Sequence, residues 1–153
     1  MPDIQELLDR PVDAKNGIDA IFVSNLDMGF LLESSKTENG RDPDLIKTLR
    51  GPDGGGGDAF AETGVFQSLQ RRMDAFGRAT GHGNLELSIL QFGEIGQEYY
   101  KGILVLYVYR LPSMSIAIGF VNTRHDGDNL AITALRARKN IEQIWKLVEE
   151  KYK

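Results

Sequence analysis

Cysteine is absent from this chain of 153 residues, and its absence removes disulfides, thiolate metal ligands and a cysteine nucleophile together. A chain without such staples suits a reducing compartment, so a cytoplasmic location is expected. Long apolar runs are missing too. None approaches the roughly 20 residues that a membrane-spanning helix needs, so no membrane span is expected. The opening segment, Met1 to Asp13, carries acidic residues and a proline where a secretory signal would carry a basic stretch followed by an apolar one. Positive charge is scarce: the net charge is −4. Residues 1–70 hold roughly twice as many acidic as basic side chains, and 129–153 reverse that ratio. A field able to draw phosphate backbones is lacking, and nucleic acid is not expected as a partner.

What is present suffices for one core. A hydrophobic content of 41% over this length fits a single domain spanning 1–153. Ile4, Leu7 and Leu8 form a short helical stripe that Pro11 ends. Gly17 to Val23 changes to strand character, Asn25-Leu26-Asp27-Met28-Gly29 supplies turn chemistry, and Phe30-Leu31-Leu32 resumes the strand, which together read as a hairpin. From Ser34 to Asp58 the chain is polar and glycine-rich. The segment 34–58 reads as a flexible excursion, dispensable for folding, with one helical turn around Leu45, Ile46 and Leu49. Asp58 is placed to cap a helix over about 59–80, in which Phe60, Val65, Leu69, Met73 and Phe76 recur near helical spacing.

The remaining strands differ in a way that orders the sheet. Leu85, Leu87 and Ile89 alternate with Glu86 and Ser88, the pattern of a strand with one wetter face. Ile103 to Tyr109 and Ile116 to Val121 are apolar on both faces, as is 18–23, so these three are expected to be central, with 30–33 and 85–92 at the edges. Ala117 and Gly119 leave room for a helix to approach one face of the last strand closely. From Asn129, Leu130, Ala134, Ala137, Ile141, Ile144, Trp145 and Val148 trace a long amphipathic helix, with Arg136, Arg138 and Lys139 off its apolar stripe. The expected fold is α/β, an α+β sandwich. Its five-stranded, largely antiparallel sheet has helices on both faces, in the order α-β-β-α-β-β-β-α.

Motifs that would carry chemistry fail on inspection. The Gly54 to Gly57 run is followed by Asp58-Ala59-Phe60, whereas a phosphate-binding loop needs lysine and then serine or threonine at the helix start; it reads as linker. His125-Asp126-Gly127-Asp128 offers three ligand types in a spacing that matches no defined metal loop, and His82 sits in a glycine turn. No nucleophile elbow is marked. No catalytic residue, metal site or cofactor is expected.

At Phe76-Gly77-Arg78-Ala79-Thr80-Gly81-His82-Gly83-Asn84-Leu85-Glu86-Leu87 the chain resembles the Roadblock, or dynein light-chain-like, family. These residues look like that family's passage from a long middle helix through a glycine-rich turn into the third strand. The small-residue strand ending at Gly119 and the closing helix Leu130 to Val148 extend the likeness, which covers about Gly17 to Lys151. Longin and profilin-like domains share the look. The chain departs from the family's pattern in its short first helix and in its longer, more glycine-rich excursion.

The resemblance implies second and third strands at the sheet edges and a non-catalytic homodimer that serves as a platform for a small Ras-like GTPase. Bacterial relatives stimulate such a GTPase by arranging its own residues, so no arginine finger is implied. Gln67, Gln70, Arg71, Asp74 and Arg78 are then the candidate GTPase contacts. Phe66, Met73, Glu86, Ser88, Leu90 and Phe92 are the candidates for the dimer interface, with Phe66, Leu69, Met73 and Phe76 holding the helix to the sheet or to its dimer mate. Proline at Ser88 is expected to remove a donor from the shared ladder. The other classes considered are a small-ligand sensor, a protein-interaction domain of profilin or longin type, and a hydrolase.

Overall fold

Strands that are apolar on both faces need cover on both, and the chain supplies it. The computed structural model describes residues 2–15, 17–40, 44–52, 64–93, 96, 102–123 and 130–153, with side-chain surroundings for all of these but 46, 64–67, 123 and 130–136. The elements are α1 (Ile4–Asp9), β1 (Ala20–Asn25), β2 (Phe30–Ser34), α2 (Asp44–Arg50), α3 (Gly64–Ala79), β3 (Leu87–Phe92), β4 (Gly102–Arg110), β5 (Ser115–Thr123) and α4 (Leu130–Tyr152). The five strands form one sheet in the order β2-β1-β5-β4-β3, all pairs antiparallel. The strands expected to be central are central, and those expected at the edges are at the edges. Among the described residues no helix is long and apolar enough to cross a membrane.

Alternation along each strand sorts the core into two. On the first face Ile21, Val23, Ile103, Val105, Ile116, Ile118 and Phe120 pack under Leu7 and Leu8 of α1 and Ile141, Ile144 and Val148 of α4. Although Pro11 shortens α1, its two leucines are buried, and the Asp3 carboxylate caps it by accepting the Glu6 amide at 2.8 Å. On the second face Ala20, Phe22, Leu104, Leu106 and Ala117 meet Leu49 and Leu45 of α2. At Gly119 the expectation of a close helix is not met. Its space is taken by side chains from the neighbouring strands, since a Cβ there would lie 2.6 Å from Phe22 Cζ and 2.8 Å from Leu106 Cδ2.

Part of the stretch expected to be flexible is packed. Ser35 is fully buried, its hydroxyl accepting the Ile21 amide at 3.0 Å. The Asp9 carboxylate accepts the amides of Lys36 at 2.6 Å and Thr37 at 3.2 Å. The helical turn expected around Leu45 and Leu49 is the whole of α2, with Leu49 in the core. Removing 34–58 as a unit would therefore strip packed groups from the second face and from α1. The Gly54 to Gly57 run, the Asp58 cap, residues 59–63 of the expected helix and the His125 to Asp128 turn lie outside the described residues.

The two sheet edges are built differently. β2 is interrupted by a bulge opposite Val23 and Ser24. It is also clasped by its neighbours: Gln5 donates to the Ser34 carbonyl at 3.1 Å, Tyr152 donates to Glu33 at 2.8 Å, and Lys151 pairs with the same carboxylate. β3 runs for six residues in unbroken register with β4 and carries no bulge, proline or charge.

The tight fit at Gly119 gives a direct test. Gly119→Ala should overpack the second face and cost about 1–3 kcal/mol, read as a lower urea midpoint with an unchanged slope.

Candidate interaction surface

The middle helix ends where its sequence says it should. Gly81 has φ +79°, the left-handed conformation that glycine adopts without strain. The His82 amide donates back to the Gly77 carbonyl at 2.7 Å and the Gly81 amide to Arg78 at 3.1 Å, the paired bonds of a Schellman cap. Gly77 is needed for a second reason: a Cβ there would lie 2.2 Å from the Gly83 carbonyl oxygen. The turn thus folds back onto α3 and delivers Asn84 to Arg78 (3.0 Å) and Leu85 to Asp74.

Asp74 is the junction of this region. One carboxylate oxygen accepts the Leu85 amide at 2.6 Å and Arg110 Nη2 at 3.0 Å; the other accepts Gln70 Nε2 at 2.8 Å and Arg110 Nη2 at 3.1 Å. Arg110 also reaches the Leu85 carbonyl at 3.4 Å. Arg110 follows Leu104, Leu106 and Val108 on the second face by strand alternation. The clamp therefore ties the C-terminal half of α3 to the second-face side of the sheet, at its β3 end. Charge-assisted bonds of this kind are stronger than neutral ones, and Asp74 is only 7% exposed.

This geometry sorts the candidate residues. Gln70 and Asp74 are buried and turned toward each other and Arg110. Arg71 and Arg78 are exposed, with Arg78 bonded to Asn84. The side chains of Phe66 and Gln67 lie outside the described ones. Along α3 the polar pair holds the helix inward, so Gln70 and Asp74 are not outward contacts, contrary to expectation. Met73 is 38% and Phe76 64% exposed, which leaves, of their two expected roles, contact with a dimer mate. On β3, Glu86 and Phe92 are exposed, whereas Ser88 and Leu90 are half-buried and Leu90 packs on the second-face core. The clamp partner Arg110 was not anticipated. Its signal was a lone arginine closing an otherwise apolar strand on the face of Leu104 and Leu106.

Backbone directions on β3 follow from one bond. The Val108 amide donates to the Glu86 carbonyl at 2.9 Å, so Glu86 and Val108 are a hydrogen-bonded pair of the β3–β4 ladder. Alternation then gives Ser88, Leu90 and Phe92 to β4 and turns the amides and carbonyls of Leu87, Ile89 and Gln91 to the open edge. The expectation for Ser88 is corrected accordingly: its N–H serves the internal ladder, and proline there would damage the subunit itself.

Among the described residues no cluster of three His, Cys, Asp or Glu side chains could hold a metal ion. An open hollow of about 560 Å³ lies between α1 and residues 37–39, lined by Asp3, Glu6, Asp9, Arg10 and Asp13 among others. Three of those carboxylates already accept backbone amides.

Removing the clamp should be measurable. Asp74→Ala leaves Arg110 and the Leu85 amide without their acceptor and should cost roughly 1–3 kcal/mol. Hydrogen exchange at Leu85 should speed up while the amides of β1 and β5 keep their protection. Asp74→Asn, which retains an acceptor for Leu85, should lose less.

No protein-family model matches the chain, and no curated protein matches it either. Among solved structures, Myxococcus xanthus MglB superposes with a TM-score of 0.53 over 94% of each chain, at 12% identity. That likeness is one of architecture: the chain shares the overall fold of that protein.

Proposed function

We propose that the chain is a non-catalytic, cytoplasmic, homodimeric Roadblock module that binds a small Ras-like GTPase and regulates it, as a scaffold or as an activator without an arginine finger. The observation that carries this reading is the combination at one end of the sheet of an unguarded edge strand and a helix beside it with Met73 and Phe76 exposed. A flat, uncharged edge is a template for another strand, and natural proteins cover such edges. β2 is guarded by its bulge and by Glu33, Gln5 and Lys151, which leaves β3 as the edge for self-association. A two-fold contact through β3 would satisfy its outward amides and bring two copies of α3 together as one surface. The Roadblock fold adds the class of partner, because members of that family serve small GTPases.

On that composite surface Arg71 and Arg78 are the outward groups, with Gln67 kept as a candidate contact, while Gln70 and Asp74 act by fixing the helix. The small-ligand alternative calls for a pocket between sheet and helix; the hollow between α1 and residues 37–39 is open and lined mainly by charged and polar side chains. Stimulation of hydrolysis, where it occurs, comes from tighter binding to the competent arrangement of the GTPase than to the alternative.

Two measurements test the reading. Light scattering at micromolar concentration should give a dimer, and Gln91→Pro should give a folded monomer, because an outward-facing edge position tolerates proline while losing its donor to the partner. In a pull-down compared in GDP and GTP-analogue conditions, a small GTPase should be retained. Arg71→Ala and Arg78→Ala should weaken its binding yet keep near-normal maximal stimulation at saturation. A supplied arginine finger is worth about 10³–10⁵ in rate, so a fall of that size in either variant would overturn the no-finger mechanism.

A further inference from the structure

We propose that the C-terminal part of α3 is a releasable element. It docks on the sheet through the Asp74 carboxylate, and when the pair with Arg110 opens it undocks and melts as one unit while the rest of the domain stays folded.

What the helix buries is the first reason. Among its described side chains, 68–79, Gln70 and Asp74 are buried, Ser68, Leu69 and Gly77 are half-buried, and the others are exposed. Residues 70 and 74 share one stripe of the helix, and that stripe is polar. None of these side chains belongs to either core cluster. The other helices differ: α1 places Leu7 and Leu8 in the core, α2 places Leu49, and α4 places Ile141, Ile144 and Val148. Apolar burial is what normally keeps a helix folded in a protein, so this part of α3 depends on polar bonds instead.

Those bonds converge on one group. The bonds from the His82 amide to the Gly77 carbonyl and from Arg78 to Asn84 join the helix to its own turn, and they leave its position on the sheet unfixed. Among the described residues, the bonds that do fix it run from Asp74 to the Leu85 amide and to Arg110. Residues 80–84 are exposed throughout, and a Cβ at Gly81 or Gly83 would meet nothing within 4 Å. The chain can therefore bend there without a clash. The Arg110 side chain is 33% exposed, so salt reaches the pair and screens it. A helix of 16 residues is marginal in water without packing, and release from the sheet should therefore cost α3 its internal bonds as well.

Docking decides what Met73 and Phe76 present. On the docked helix they are held as a fixed exposed pair, and on the melted segment they are not. A partner that grips both selects the docked state, and its apparent affinity falls in proportion to the fraction docked. The same partner must stabilise the clamp by an equal factor. The device is a property of the single chain and requires neither the homodimer nor the GTPase proposed above.

Native-state hydrogen exchange of the full chain, resolved by amide in rising urea below the unfolding transition, tests it. The amides of residues 72–79 and of Leu85 should share one opening, with a smaller urea slope than the amides of β1 and β5, because a partial opening exposes less surface. Raising NaCl to about 1 M, which shortens the screening length to roughly 3 Å, should speed exchange of this unit severalfold and leave β1 and β5 unchanged. Arg110→Met should speed it by about tenfold to a hundredfold, the effect of losing a hydrogen bond to a charged group, and should abolish the salt response. Arg110→Lys, which keeps the charge and loses the fork, should restore part of the protection.

Exchange of the α3 amides in step with β1 and β5 at every urea concentration would overturn the proposal, because the helix would then leave only with the whole fold. So would a gradient rising residue by residue toward Ala79 while Leu85 keeps the protection of the sheet, which is fraying. Equal acceleration of helix and strands in Arg110→Met would also overturn it. If that variant fails to fold, the urea and salt responses of the unmodified chain decide. A unit that opens as described in a protein that retains no GTPase would leave this device standing and remove the functional reading alone.

Discussion

The Asp74 carboxylate joins the middle helix to the β3–β4 pair: the helix through its own backbone and Gln70, the start of β3 through the Leu85 amide, and the end of β4 through Arg110. An anion this buried is stable only when its lone pairs are met by donors, and here both oxygens are met. The arrangement sets the direction in which α3 leaves the sheet, and with it the side on which Met73 and Phe76 are displayed. It also consumes the polar groups of Leu85 and so decides where the open part of β3 begins. The glycines around it serve the same junction. Gly77 and Gly83 allow the chain to fold back over the helix, and Gly81 takes the backbone conformation that turns it.

Much of the architecture was legible because burial on two faces leaves an unmistakable pattern. Ile103 to Tyr109 and Ile116 to Phe120 have no polar face, and a strand with no polar face cannot sit at an edge. The middle helix was legible in extent near its C-terminus, where glycine chemistry marks the stop, but its orientation was not. Met73 and Phe76 lie at core-like spacing, and hydrophobic periodicity alone does not say whether such residues face the sheet or a second copy. The inward side of α3 is instead polar, held by an ion pair to Arg110, a residue 36 positions away. Nothing local in the sequence joins those two. The packing of 34–40 was hidden for a similar reason: a polar segment with little apolar surface can still be fixed when one half-buried carboxylate, Asp9, accepts two of its amides and its own buried hydroxyl, Ser35, accepts an amide of β1.

The exposed apolar side chains were legible by segment and not by direction. Met73 and Phe76 of α3 and Leu87 and Phe92 of β3 are exposed in the single chain. Which amides of β3 look outward depends on one inter-strand bond, between Glu86 and Val108. A shift of one residue in that bond would exchange every inward group for an outward one, so composition gives no access to it.

The bulge in β2 bears on how far assembly can go. An isologous contact through β3, as proposed, would leave a β2 edge at each end of the combined sheet, and that edge is kinked and carries Glu33 pinned by Lys151 and Tyr152. Neither end would offer a further chain the straight, uncharged row that β3 has. Association by this route would be self-limiting, closing at a pair without the edge from which a fibre grows.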